Sequence, residues 1–261
     1  MPSPKAKCSA VRCYTLLVHE IARYAFPRKL IRGTFLERPY RFTALVKLPR
    51  AGIIHAHVPH TGRLPDLLVP GNECYVDNIG ASPTRRTEYT LSLVRTQDGV
   101  LGCIDTSIPN KLARIAAQVA AIPTLEGWRY KAHEYTWGDS RVDLLLRSPS
   151  GRKLALVEVK SVTWTVDGWA QFPDSPTTRG VKHLHNLAAA KAAGMRAVQL
   201  YIVQRGDSTK FRPAVEIDPD YCEVCCITKA RGVEFLALTC EVSPQEIVLS
   251  GRIPVRLGKR R

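Results

Sequence analysis

Residues 140–160 read Ser140-Arg141-Val142-Asp143-Leu144-Leu145-Leu146-Arg147-Ser148-Pro149-Ser150-Gly151-Arg152-Lys153-Leu154-Ala155-Leu156-Val157-Glu158-Val159-Lys160. The centre, Ser148-Pro149-Ser150-Gly151, is a strong turn signal, and apolar β-formers flank it on both sides. The pattern therefore predicts a hairpin. Glu158 and Lys160 are two apart on a strand and share one face, while Val157 and Val159 point to the other, into a core. A loop over 148–151 pairs Arg147 with Arg152 and sets Asp143 opposite Leu156, on the face of Glu158 and Lys160. Diagonal cross-strand neighbours lie ~7–8 Å apart, close enough for two carboxylates to close on one cation.

That trio suits phosphodiester chemistry. A hard cation such as Mg²⁺ or Mn²⁺ takes oxygen ligands, which Asp143, Glu158 and the Val159 carbonyl can supply. It polarises a phosphate and acidifies a bound water. Lys160 adds positive charge where negative charge develops. Glu134, one strand earlier, is a further candidate carboxylate. The same register has a plainer use. It sets Arg141 opposite Glu158 and Asp139 opposite Lys160, two exposed ion pairs worth ~0.2–1 kcal/mol each. D-x(14)-E-x-K is short and common by chance.

Around this hairpin the chain alternates. Strands are expected near 129–136, 141–147, 153–160, 196–204, 233–242 and 246–250, with helices at 180–194 and 218–230, which implies an α/β sheet. Trp164, Trp169 and Phe172 lie in an irregular stretch, 163–178, that suits a lid over the site or packing against the sheet. A helix over 110–121, with Leu112, Ile115, Ala116 and Val119 at 3–4 spacing, bridges to the first half. There, strands at 41–48, 53–58, 73–76, 88–95 and 100–104 are separated by Gly/Pro turns and suit a small barrel of the oligonucleotide-binding (OB) kind. The expected divisions are an extension over 1–29, a barrel over 30–105, an α/β domain over 106–257 and a basic tail over 258–261.

The 261 residues carry a net charge of +15. Residues 1–50 hold eleven Lys/Arg against two acids, and residues 252–261 hold five against none. The basicity sits at the ends of a nearly neutral body, which favours a polyanionic partner, nucleic acid first. No apolar run reaches the ~18 residues of a membrane span, and Tyr14–Val18 is too short for a signal segment, so a cytoplasmic protein with no membrane partner is expected. Eight cysteines are sparse for this length and read as free thiols. The cluster Cys222, Cys225, Cys226 lacks the second pair of a zinc site and reads as buried packing. His55, His57 and His60 are close in sequence, but no Cys or carboxylate partner accompanies them.

Arg38, Arg41 and Arg63 flank Tyr40 and Phe42, a mixture suited to stacking on single-stranded bases. Arg179, Lys182 and His183 begin a helix, where basic side chains and the dipole favour phosphate.

With these residues in view, the chain resembles the sugar fermentation stimulation protein A family from about Leu30 to Leu257. The likeness is carried by Arg38-Pro39-Tyr40-Arg41-Phe42, His57-Val58-Pro59-His60-Thr61-Gly62-Arg63-Leu64 and Asp105-Thr106-Ser107-Ile108-Pro109-Asn110. It continues through Gly138–Asp143, Val157–Thr163, Phe172-Pro173-Asp174, Thr178–Leu184 and Gly232-Val233-Glu234. His60 stands where the family usually has Asn, and the segments before Leu30 and after Leu257 have no counterpart. The resemblance implies an N-terminal OB-like barrel followed by a C-terminal PD-(D/E)xK restriction-endonuclease-like α/β domain, with Asp143, Glu158 and Lys160 matching the nuclease core. It also implies non-specific DNA binding and a regulatory role in sugar (maltose) metabolism. Two functions follow as expectations: a metal-dependent deoxyribonuclease, or a DNA-binding regulatory factor on a nuclease-like scaffold without catalysis. A partner-binding role unrelated to nucleic acid is a third, and a homo-oligomer is left open.

Overall fold

The structure, a computed structural model, describes residues 20–81, 83 and 85–258. The basic segment 1–19 and tail residues Lys259, Arg260 and Arg261 lie outside the described residues. The chain begins with β1 (Ala22–Ala25), then runs through β2 (Ile31–Tyr40), β3 (Thr43–Leu48), β4 (Gly52–His57), β5 (Glu73–Asn78), β6 (Tyr89–Arg95) and β7 (Leu101–Cys103) to the helix α1 (Ile108–Gln118). Next come β8 (Arg129–Trp137), β9 (Ser140–Arg147), β10 (Leu154–Val162), β11 (Trp164–Val166), β12 (Trp169–Phe172) and α2 (Thr178–Ala192). The chain continues through β13 (Arg196–Val203), β14 (Lys210–Pro213), α3 (Pro219–Ala230), β15 (Glu234–Val242) and β16 (Glu246–Ile253).

Strands β4-β3-β2-β5-β6 pair in that order, and a β4–β6 contact through Ala56↔Tyr89 and His57↔Thr90 closes them into the expected five-stranded barrel, with β7 appended to β6. Its core is Phe35, Val46, Val58, Leu64, Leu91 and their apolar neighbours. Strand β2, central in that order, has no counterpart in the sequence reading, which counted 100–104 (β7) as its fifth strand instead. Its register shifts twice against β3, between Phe35 and Glu37 and between Glu37 and Tyr40. Such bulges break the two-residue alternation by which a strand is recognised.

The second half is a seven-stranded mixed sheet in the order β1-β16-β15-β13-β10-β9-β8. The expected extension over 1–29 is corrected here, because β1 is a sheet edge paired from Ala22↔Leu249 to Ala25↔Glu246. Arg23 adds bonds to the Glu246 carboxylate at 2.8 and 2.9 Å. The central strands β10, β13 and β15 run parallel and are nearly continuous apolar sequence, as strands covered on both faces must be. Helix α1 lays Ile108, Leu112, Ala113, Ala116 and Ala117 on one face of the sheet, together with Val157, Val159 and Leu200. Helix α2 buries Leu184, Leu187 and Ala188 on the other face. The helices start where sequence capping signals lie. The Thr177 side chain accepts the Gly180 N–H at 3.0 Å, and Asp218 accepts the Tyr221 N–H at 2.9 Å.

Residues 163–178 are not a free lid. They form the hairpin β11–β12, which joins β14 in a three-stranded sheet. Lys210 lies 4.3 Å from the Trp169 ring centre, and Phe172 packs edge-on against Tyr221 at 5.3 Å. The aromatic residues of this stretch are therefore packing groups. Among the described residues no helix is long and apolar enough to cross a membrane.

The barrel and the sheet meet through specific polar contacts. The Cys103 N–H donates to the Gln204 carbonyl at 2.9 Å. Arg205, 3% exposed, reaches Asp66 on the barrel side and Asp207 on its own. His60 accepts the Gly62 N–H on Nδ1 at 2.9 Å and meets Thr163 through Nε2 at 3.3 Å. Burial holds the His60 ring below its usual pKa, and Arg38 adds to that, against the opposing pull of Asp174. Gly62 lies so close that a Cβ there would stand 1.6 Å from Asp174 Oδ2. The three histidines do not converge, since His55 is exposed and His57 stacks on Phe42.

Candidate active site

The site grows from the hairpin, with one change of register. The β9–β10 ladder pairs Arg147↔Leu154 through Leu144↔Val157, and Ser148 N–H donates to the Lys153 carbonyl at 2.9 Å. The loop thus occupies 149–152, one residue later than expected. Arg152 is in the turn, and continuing the ladder sets Asp143 directly across from Glu158 instead of on the diagonal. The shift moves pairing by two, so every side chain keeps its face. Both plain ion pairs of the expected register disappear. Arg141 lies 3.6 Å from Glu134, and Asp139 pairs with Lys182 at 2.8 Å.

Asp143 and Glu158 are neighbours held in opposite ways. Asp143 Oδ2 accepts the Val159 N–H at 2.7 Å, and Oδ1 accepts from Asn110 of α1 at 2.8 Å. Burial, then the nearby Glu158 charge, pushes its pKa up to about 6, against the pull of those two donors and Lys160. Glu158 is 3% exposed. Burial pushes its pKa up, but the hydrogen bond from His183 and the Lys160 charge outweigh it, so the carboxyl stays below its usual range. Lys160 Nζ donates to Glu158 Oε1 at 2.6 Å and stands 3.0 Å from His183 Nδ1. His183 Nδ1 also bonds Glu158 Oε1, and Arg179 Nε donates to His183 Nε2 at 3.3 Å. With Nε2 accepting, the ring hydrogen is on Nδ1, facing the carboxylate. On the adjacent strand Gln199, fully buried, donates to the Glu158 carbonyl at 3.1 Å.

The expected trio Asp143, Glu158 and Lys160 is therefore brought together. Glu134 is not. The β8–β9 register passes from His133↔Leu144 to Tyr135↔Val142, with Glu134 at φ 49°. Its side chain is 63% exposed and pairs with Arg141. Arg38 is also reassigned. Its guanidinium donates to the carbonyls of Gly62 at 2.6 Å, His60 at 2.7 Å and Arg41, which makes it a clasp on the 60–62 loop. Arg41 covers the Phe42 ring at 5.5 Å, and Arg63 and Arg179 are exposed. Lys182 is paired with Asp139. Near the N-terminus Arg23, Arg28 and Arg32 bond Glu20, Asp77 and Glu73 respectively, so part of that positive charge is neutralised within the fold.

Arg38→Met is expected to cost ~2 kcal/mol, because three carbonyls lose a charged donor. A melting temperature lowered by ~4–8 °C in scanning calorimetry checks this.

His183 entered the sequence reading only as a helix-start base, and Asn110 as the end of the Asp105–Asn110 stretch of the family likeness. The helical period offers the signal for His183, since Gly180, His183, Leu184 and Leu187 share the buried face of α2. Asn110 has no such signal, because its role depends on where α1 docks. Among the described residues the cysteines stay outside the site. Cys222 and Cys225 are buried in α3, and burial pushes the Cys222 thiol up to about 12.

A closed OB barrel and a restriction-endonuclease-like sheet with an acid–acid–lysine cluster define a two-domain protein of nuclease-like architecture. The SfsA N-terminal OB domain model matches residues 36–104, and the sugar fermentation stimulation protein RE domain model matches residues 107–246. The chain belongs to the sugar fermentation stimulation protein family. The sugar fermentation stimulation protein homolog of Syntrophotalea carbinolica is 40% identical over 232 residues, covering 88% of this chain and 98% of that one. The homolog from Symbiobacterium thermophilum is 41% identical over 242 residues, covering 88% and 96%. The solved structure of Pyrococcus furiosus SfsA in complex with Ca²⁺ aligns with a TM-score of 0.80 at 28% identity, covering 91% of this chain and 99% of that one.

Proposed function

We propose that this protein is a divalent-metal-dependent nuclease acting on DNA in the cytoplasm. The observation that carries the reading is the convergence of two carboxylates and a lysine: Asp143 Oδ2 accepts the Val159 N–H at 2.7 Å, next in chain to Glu158, and Lys160 Nζ donates to Glu158 Oε1 at 2.6 Å. The residues fit a hard cation. Lys160 and His183 both use Glu158 Oε1, and among the described residues no hydrogen bond is made to Oε2. The mutual repulsion that helps to raise Asp143 is relieved by positive charge between the two carboxylates. The Ca²⁺ complex of the Pyrococcus furiosus relative supports the same class of ion. When bound, Mg²⁺ or Mn²⁺ would polarise a phosphate and make water a stronger nucleophile.

The chain's own groups do the positioning. Asn110 and the Val159 N–H fix the Asp143 carboxylate, and His183 and Gln199 fix the Glu158 side chain and backbone. Lys160 brings an ammonium to the site where a phosphate gains charge. Arg41, Arg63 and Arg179 are the candidate phosphate contacts on the surrounding surface, with Lys182 available if Asp139 releases it. Plasmid nicking tests the reading. Wild type should nick with Mg²⁺ or Mn²⁺ and stop with EDTA, and Asp143→Ala should be slower by ~1000-fold or more. Equal nicking by both removes the proposal.

One observation favours the alternative of a DNA-binding regulatory factor without catalysis. The cluster is already largely engaged internally, Asp143 by two donors and Glu158 Oε1 by Lys160 and His183. That reading requires DNA affinity that drops ~10-fold or more between ~50 and ~200 mM salt and survives Asp143→Ala, with no cleavage under any metal.

A further inference from the structure

The barrel carries a surface that the cleavage chemistry does not use. Tyr40 and Phe42 are 73% and 46% exposed, at the end of β2 and in the turn that leads to β3. Phe42 stacks on His57 with ring centres 6.2 Å apart, and the Arg41 guanidinium lies over the outer aromatic. Arg85 and Arg86 border the same hollow. Large rings left in water among arginines mark a binding surface for something flat and anionic.

A second hollow begins where this one ends. It shares His57 and Arg85 and continues past Pro59 to Ser107, Ile108 and Lys111. Those last residues are at the first turn of α1, the turn whose Asn110 holds Asp143. Two carboxylates line this stretch, and both are engaged. Asp77 is bonded to Arg28 at 2.7 Å, and Asp105 accepts the Ser107 N–H at 2.8 Å.

We infer that the two hollows form one path for a single strand of DNA, leading from the aromatic surface of the barrel to the turn beside Asp143. A duplex hides its base faces, whereas an unpaired strand offers them to Tyr40 and Phe42 and its phosphates to Arg41, Arg85 and Arg86. The substrate class is DNA with an unpaired stretch next to the bond that is cut. The destination of the path rests on the nuclease reading above, but its barrel end does not.

Fluorescence anisotropy with labelled oligo(dT), in EDTA, tests this on the full chain. Wild type should bind oligo(dT) at least ~10-fold more tightly than a blunt duplex, and Phe42→Ala and Arg85→Ala should each lose ~10-fold for oligo(dT). Tyr40→Ala, at the more exposed of the two rings, should lose affinity with an unchanged melting temperature, which separates binding from folding. Changes within about twofold in all three variants overturn the path. Oligo(U) bound ~10-fold more tightly than oligo(dT) overturns the assignment to DNA. Nicking that depends on Asp143, alongside oligo(dT) binding indifferent to the barrel variants, removes the path and leaves the nuclease. Barrel-dependent oligo(dT) binding with nicking indifferent to Asp143 removes the nuclease and leaves the strand surface.

Discussion

Asp143→Asn is expected to stop cleavage and, in EDTA, to make the protein more heat-stable. The native carboxyl is raised to about 6 by burial and by the Glu158 charge. A carboxyl raised on folding stabilises the fold fully only below its unfolded pKa, and that contribution is lost as pH rises through about 6. Above that, the ionised Asp143 is a cost to the fold, one that a cation bound there would offset. Asparagine removes the charge and keeps the shape. Its oxygen accepts from Val159, and its amide can face an Asn110 turned to accept. With a discount for the solvent that still reaches this mostly buried group, the gain at pH 8 is ~1–2 kcal/mol, or ~3–6 °C. At pH 4 the two proteins should melt together. Thermal melts in EDTA at both pH values check the sign, and a variant less stable than wild type at pH 8 contradicts it.

Glu158→Ala, one strand away, is expected to act in the opposite direction. Glu158 is the acceptor for Lys160, which is only 13% exposed, and for His183. Its removal leaves an ammonium largely out of water without its counter-charge, at ~3 kcal/mol and ~10 °C in melting temperature. The Glu158 carboxyl lies below its usual range, so its contribution is present at neutral pH and is lost as pH falls through that lowered value. Urea melts at pH 7 should show the loss. Adding Lys160→Met should recover most of it, because the double variant has no buried unpaired charge. A double variant as unstable as Glu158→Ala alone would show that the pair is not the cause.

These contrasting behaviours were only partly legible in the sequence. The hairpin, its turn and the shared face of Glu158 and Lys160 follow from a two-residue period and a Ser-Pro-Ser-Gly signal, and the one-residue error in the loop preserved every face. The α/β sheet was readable from strands alternating with helices at 180–194 and 218–230, but neither its parallel pairing nor the Thr177 and Asp218 caps was read. Strand β2 was not readable, because two bulges and Pro39 disrupt its alternation. β1 was not readable because four residues carry no period, and only the partner β16, over two hundred residues later, makes them a strand. At the site, Glu134 was legible as a carboxylate on the right strand, but its left-handed backbone and the Arg141 pair send it elsewhere. Arg38 looked like a phosphate contact because the carbonyls it binds come from loop residues brought close only by folding. His183 and Asn110 come from α2 and α1 on opposite faces of the sheet, a convergence no local pattern encodes.

An anomalous difference map from crystals soaked in Mn²⁺ at pH 8 is the most direct measurement of whether this cluster is a metal centre. A single strong peak between the carboxylates of Asp143 and Glu158, absent in Asp143→Asn crystals, is the result expected. No peak there at saturating Mn²⁺, with Lys160 still seated on Glu158, would contradict it.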